Sequence, residues 1–334
     1  MNKELELWQF IAERLQKDER VMLLVVATSS GSSPGRPGYK MAVADDGDLM
    51  GSIGGGVMEV NLVEQSRSML GAQASPPASS QSGETLPLHI REQIHRKNVR
   101  NSSGMICSGK QTVLFKLLTN KDVDTVNNAI AGIKTRNGSV LHLTGDTINV
   151  VPPKVATQNF DFAFERRTDN EFEYRERLGA KNELIIIGGG HCALALSEMM
   201  SKMDFHVSLF DDRPQLNTIE KNEFADEIEV IDSYEKIGEP VESSNRAFLV
   251  VMTLGYKSDA IVIRQLIDKD FKYFGVLGSK AKMATLFREL IDEGFSKERL
   301  DKIRTPIGLP INSHSPEEIA VSIAAEIIAV KNGA

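Results

Sequence analysis

From Glu4 to Lys17 the apolar residues Leu5, Trp8, Ile11, Ala12 and Leu15 recur every three or four positions, the spacing of an amphipathic helix. Val21–Thr28 then runs almost wholly apolar for a strand's length, as a buried strand does. Two glycine-rich segments follow, Gly31–Met41 and Gly51–Met58, with a hairpin turn expected between them at Asp45-Asp46-Gly47-Asp48. Helical spacing returns from about Met58 to Leu70, and Gly71 is expected to end it. Residues 72–84 are a Pro/Ser/Gln tract whose composition predicts a flexible loop. Strands are predicted at Thr85–Ile90, Gln111–Leu118 and Ser139–Leu143, with a helix at Asp122–Thr135 and a last strand around Phe172-x-Tyr174.

Past Gly179 the pattern alternates. Apolar runs at Leu184–Ile187, His206–Phe210, Ile228–Ile231, Ala247–Thr253 and Tyr273–Leu277 interleave with helical patterns at Cys192–Met203, Ser258–Leu266 and Lys280–Glu293. This is how a parallel sheet with helices on both faces is written. The final helix carries its own start signal, with Ser315 as N-cap, Pro316 at the first turn and Glu318 closing a capping box. The expected fold class is therefore α/β. An α+β domain built around glycine loops occupies residues 1–178, and a Rossmann-type doubly wound parallel sheet occupies 179–334.

Composition narrows the function. The 334 residues are 41% hydrophobic and 25% charged, a globular balance long enough for two cores. The longest apolar stretches, Val21–Ala27 and Leu184–Ile187, fall far short of the roughly 20 residues that span a bilayer. The N-terminus is charged and does not read as a signal peptide. With Cys107 and Cys192 as the two cysteines, a cytoplasmic protein without disulfides is expected. A net charge of −7 argues against non-specific nucleic-acid binding.

Leu184–Ile187 leads into Gly188-Gly189-Gly190-His191-Cys192-Ala193, a G-x-G-x-x-A fingerprint between strand and helix. Gly188 suits the tight turn, Gly190 lets a phosphate approach the backbone, and Ala193 allows helix and strand to pack closely. Asp211 ends the next strand 23 residues after Gly188, near the offset of about 20 at which a carboxylate holds a ribose. His191 reads either as a ligand-facing hydrogen-bond donor or as an exposed residue without a task, and Cys192 as helix–sheet packing. At two further strand ends, Thr253 is followed by Ser258, read as a helix cap, and Gly278-Ser279-Lys280 places a cap and a cation where phosphates bind.

The N-terminal glycine segments carry a second candidate. Ser32–Gly38 is a rigid turn presenting Arg36, and Gly54-Gly55-Gly56 precedes a helix; the pair reads either as backbone amides and a guanidinium suited to phosphate or as glycines needed only for positive φ, and the nearby arginine favours the first. Glu59, just inside that helix, reads as a dipole partner or as a ligand contact. Cys107 lies between small residues shortly after Arg91, His95, Arg96, Lys97 and Arg100, either buried or exposed in a positive field that would lower its pKa. The two cysteines lack zinc-ligand spacing, so no metal site is expected.

These residues together resemble the XdhC/CoxI family, accessory proteins that mature xanthine dehydrogenase and related molybdenum hydroxylases. The resemblance rests on Gly31–Met41, Gly51–Gly56, Cys107-Ser108-Gly109, Ile187–His191, Asp211-Asp212-Arg213, Leu277–Lys280, Thr305–Leu309 and Ser315–Ile323. It implies a chaperone that binds molybdenum cofactor (molybdopterin), holds it while a cysteine desulfurase replaces one oxo ligand by sulfur, and passes it to apo xanthine dehydrogenase or a related hydroxylase. Cys107 would be the cofactor-handling thiol. The chain departs from the pattern at Val57, where many members carry Cys or Arg, at Ser108 in place of Gly, and at Thr253–Asp259, where many have a histidine. A homodimer is a further expectation. The competing reading is an NAD(P)-dependent oxidoreductase that uses Gly188–Asp211.

Overall fold

Leu7, Trp8, Ile11, Ala12 and Leu15 lie on one face of the first helix, α1 (Lys3–Gln16), and all are buried. Each large apolar side chain contributes about 1.5–3 kcal/mol on leaving water, so this stripe pins the helix. The computed structural model describes residues 3–73, 89–95, 109–135, 137–152, 160–168, 171–203 and 205–333. They fall into two compact units, Met1–Gly179 and Ala180–Ala334.

In the first unit α1 packs against an antiparallel sheet of order β3-β2-β1-β5-β4, built from β1 (Val21–Gly31), β2 (Lys40–Ala44), β3 (Leu49–Gly51), β4 (His89–His95) and β5 (Gly109–Leu118). The turn at Asp45–Asp48 joins β2 to β3 as expected. On the opposite face of the sheet lies α2 (Gly56–Gln73), which buries Met58, Leu62 and Val63 against Met22, Leu24 and Val26. This helix starts earlier than its apolar spacing suggests and runs through Gly71, which does not end it. Of the strand expected at Thr85–Ile90, residues 85–88 lie outside the described residues; the described strand is His89–His95, paired with β5.

A second antiparallel sheet has the order β7-β6-β9-β8 and comprises β6 (Ser139–Thr144), β7 (Ile148–Val151), β8 (Phe162–Arg166) and β9 (Phe172–Leu178). With α3 (Val123–Ile133) it closes over α1 and one face of the first sheet. A buried charge cluster ties these layers. Lys40 Nζ donates to Glu176 at 2.7 Å, Glu4 at 2.8 Å and the Gly38 carbonyl at 3.1 Å, while the Tyr174 hydroxyl donates to Glu176 at 2.8 Å. Burial alone would push the Lys40 ammonium down. The two carboxylates outweigh it and hold the group above its ordinary range.

The second unit is a five-stranded parallel sheet of order β12-β11-β10-β13-β14. Its strands are β10 (Asn182–Ile187), β11 (Phe205–Asp211), β12 (Glu227–Val230), β13 (Ser244–Val251) and β14 (Phe271–Val276). Helices α4 (His191–Met200) and α9 (Pro316–Asn332) pack on one face, and α6 (Tyr256–Leu266) and α7 (Lys280–Asp292) on the other; α5 (Asn217–Glu220) and α8 (Lys297–Leu300) are single turns. The Ser315–Glu318 capping box forms, and Gly333 closes α9 in a left-handed conformation. The order reverses direction between β10 and β13, which places the ligand crevice of an open α/β sheet at the carboxyl end of β10.

Candidate functional site

At that crevice the chain must turn sharply from β10 into α4. Gly188 has φ +105°, and a Cβ there would lie 2.5 Å from the Met252 carbonyl oxygen, so no side chain fits. Gly189 is hemmed in differently: its Cβ would meet Ile219 at 2.7 Å. Gly190 serves as the N-cap of α4, and the space beyond its Cα is open. The three glycines thus have three reasons, and the last is the one that leaves room for a ligand against the backbone.

Asp211 is fully buried at the end of β11. Its carboxylate accepts from the Gly189 amide at 2.6 Å, from the Arg213 amide at 2.9 Å, and from Arg213 Nε and Nη2 at 2.8 and 2.6 Å. Burial pushes its carboxyl up, but Arg213 and the two amides outweigh it and hold it below the usual carboxylate range. The Thr218 hydroxyl donates to the Gly189 carbonyl, so the loop is held from both sides.

His191 is exposed at the first position of α4. Cys192 is half-buried against the core of the α4–α9 face, and burial with nearby Glu317 pushes its thiol pKa up, which suits packing rather than reactivity. Glu317 also lies within electrostatic reach of His191, so the amino ends of α4 and α9 meet beside the glycine loop.

Thr253 follows β13, but Ser258 does not cap the next helix, because Gly255 does and Ser258 lies inside α6. The Thr253 hydroxyl donates to Asp259 at 2.6 Å, and Lys282 Nζ reaches the other oxygen of Asp259 at 3.1 Å. Asp259 is buried. Sequence reasoning missed this trio; the signal was an acid in the first turn of α6 facing an apolar stripe. Ser279 caps α7 by accepting from the Lys282 amide, Gly278 leaves room for Met283, and Lys280 is exposed.

In the first unit Gly35 packs backbone to backbone on Gly54, whose Cβ would lie 2.5 Å from the Gly35 nitrogen. Gln111, fully buried on β5, fastens both loops: Ser33 Oγ donates to its carbonyl at 2.7 Å, and its amide reaches the Ile53 carbonyl at 3.5 Å. A lone glutamine in an apolar strand was the signal for this role. Gly54, Gly55 and Gly56 all have positive φ, and the donors they help arrange are filled from within. One oxygen of Glu59 accepts from Ser52 Oγ at 2.7 Å and from the Ile53 and Gly55 amides at 2.9 Å. Arg36 stands exposed on the neighbouring turn with no side-chain partner among the described residues. Cys107 lies outside the described residues, as do Arg96, Lys97 and Arg100 of the basic run. Among the described residues no cluster of His, Cys, Asp or Glu is placed to hold a metal ion, and no helix is long and apolar enough to cross a membrane.

Known proteins match both units. The family model for the XdhC and CoxI family covers residues 14–76, and that for the XdhC Rossmann domain covers 184–327. A Bacillus subtilis (strain 168) protein, named as a probable xanthine dehydrogenase component, is 24% identical over 331 residues, covering 94% of either chain. The uncharacterized Escherichia coli (strain K12) protein YqeB is 23% identical over 92% of this chain, which spans 43% of YqeB's length. A crystal structure described as a xanthine dehydrogenase from Bacillus halodurans has the same fold, with a TM-score of 0.69 at 22% identity over 99% of this chain and 96% of that one. Matched in both its glycine-loop unit and its Rossmann unit, the chain belongs to the XdhC/CoxI family.

Proposed function

We propose that this protein is an accessory factor that binds molybdenum cofactor, holds it during exchange of an oxo ligand for sulfur by a cysteine desulfurase, and delivers it to an apo enzyme of the xanthine dehydrogenase type. The observation that carries this reading is Gly190. After the glycine loop has satisfied its own hydrogen bonds through Asp211 and Thr218, the space above this N-cap stays open at the switch point. A phosphate monoester, such as the one molybdopterin carries, fits an open helix amino end.

In the first unit Arg36, without a side-chain partner among the described residues, stands beside the Gly54 loop as a group suited to an anion, and in the second unit Lys280 is another. Gly188, Gly189 and Asp211 shape the loop, Gly190 and His191 face the ligand, and Gly278 and Ser279 set Lys280 at the neighbouring strand end. Cys107 is the thiol proposed to meet the metal end. The cofactor supplies the molybdenum centre on which the recipient's chemistry depends. What this chain contributes is anion binding and shielding, without net redox change. The relatives named for xanthine dehydrogenase support a partner of that class, and two cysteines in these 334 residues cannot furnish the cysteine sets of iron–sulfur clusters. A second copy of the chain is a further proposed partner.

The test is mass spectrometry of the ligand retained by protein purified from a molybdenum-competent host, with titration of added molybdopterin. Retention of molybdopterin is expected, with weaker binding in Gly190→Val, Arg36→Ala and Cys107→Ala. A protein that neither retains nor binds the pterin refutes the reading, and unchanged affinity in Cys107→Ala removes that residue's role.

A further inference from the structure

The end of β11 holds more polar chemistry than the loop it buttresses requires. Asp211, the residue at the ribose-binding offset, is sealed: it is fully buried and every contact it makes is to its own chain. The next residue, Asp212, is exposed, and its carboxylate has no side-chain partner among the described residues. Arg213 spends Nε and one N–H of Nη2 on Asp211, so three of its five N–H donors remain, and its side chain is 31% exposed.

Behind this pair stands Tyr234, 4% exposed. Its hydroxyl is buried and donates no hydrogen bond among the described residues; the Asp212 amide lies against it, and the charges of Asp211, Asp212 and Arg213 surround it. A buried hydroxyl that donates to nothing is destabilising, and a ligand oxygen that accepts from it would relieve that cost. The second unit therefore offers, beside its phosphate position at Gly190, an acceptor carboxylate, spare guanidinium donors and an orphaned hydroxyl.

We propose that this corner is a ribose subsite in which Asp212, not Asp211, takes the 2′,3′-diol of a ribonucleotide, assisted by Tyr234 and Arg213. Two carboxylates against one guanidinium leave the corner net negative, so it selects an unphosphorylated ribose over a 2′-phosphate. The ligand class is a ribonucleoside 5′-diphosphate or a larger molecule containing one. The inference concerns this corner alone and holds whether or not the molybdenum-cofactor reading does.

Calorimetric titration of the full chain with ADP and CDP, their 2′-deoxy forms and their 2′-phosphorylated forms tests it. For at least one base the ribonucleotide should bind about tenfold tighter than the deoxy form, the worth of one charge-assisted hydrogen bond, with the 2′-phosphate form weakest. Asp212→Ala should abolish that preference, Asp212→Asn should keep part of it, and Tyr234→Phe should weaken ribonucleotide binding while leaving the deoxy form unaffected. Far-ultraviolet circular dichroism confirms that each variant is folded. Tighter binding of a 2′-phosphorylated form, an unchanged preference in Asp212→Ala, or no millimolar binding of either ribonucleotide overturns the proposal.

Discussion

Two glycine loops, one per unit, lead into helices and look alike in sequence, yet they are held by carboxylates of different standing. At Ser52–Gly56 the acid is Glu59, half-buried on the helix that the loop starts, and it uses one oxygen on three donors. At Gly188–Gly190 the acid is Asp211, fully buried on the following strand, with both oxygens engaged and a guanidinium alongside. The first is a local clasp that water can replace. The second joins two strands at the ligand crevice, where water has no access.

Removing each acid should expose that difference. Asp211→Ala leaves the Gly189 amide and Arg213 without their acceptor, and should cost on the order of 3 kcal/mol, the low end for a broken buried pair because Arg213 keeps some solvent. Gly188→Ala should come next, at roughly 2 kcal/mol or more, from a strained left-handed backbone and a carbonyl in the way. Glu59→Ala should cost about 1 kcal/mol. Urea denaturation of all three ranks them; equal losses for the two acids would erase the contrast. Gly190→Ala is expected to change stability by less than about 0.5 kcal/mol, because its Cβ enters open space, and to show its effect in ligand affinity.

Acid sharpens the same comparison. Asp211 is depressed in the folded state relative to its ordinary 3.8, so its contribution is complete above about pH 4 and is lost as pH falls through the lower folded value. An Asp211→Asn variant should lack that part of the acid limb in a pH-stability profile. A limb identical to that of the parent would show that the carboxylate adds nothing.

Much of this was legible in the residues. The βα alternation past Gly179, the start of α9 at Ser315 and the turn at Asp45–Asp48 follow from local periodicity and capping, and all appear. The run of β4 to His95 was not read, because Arg91, Glu92 and Gln93 interrupt its apolar positions. Gly71 misled because packing of Leu62 and Leu70 carries α2 past a weak helix former. The glycine loops were readable as turns, but not the buried clasp of the second, since Asp211 accepts from the Gly189 amide across 22 residues of chain. Lys40, Gln111 and Asp259 escaped for the same reason: each is a polar residue whose partner is distant in sequence.

Lys40 has a further consequence. Its ammonium touches Glu4 on α1, Glu176 on β9 and the Gly38 carbonyl on the turn that presents Arg36. The opening helix is therefore a keystone and not a detachable arm. Trimming it would strand a buried cation and slacken the Arg36 turn together, so natural variation at Glu4 should travel with variation at Lys40 and Glu176.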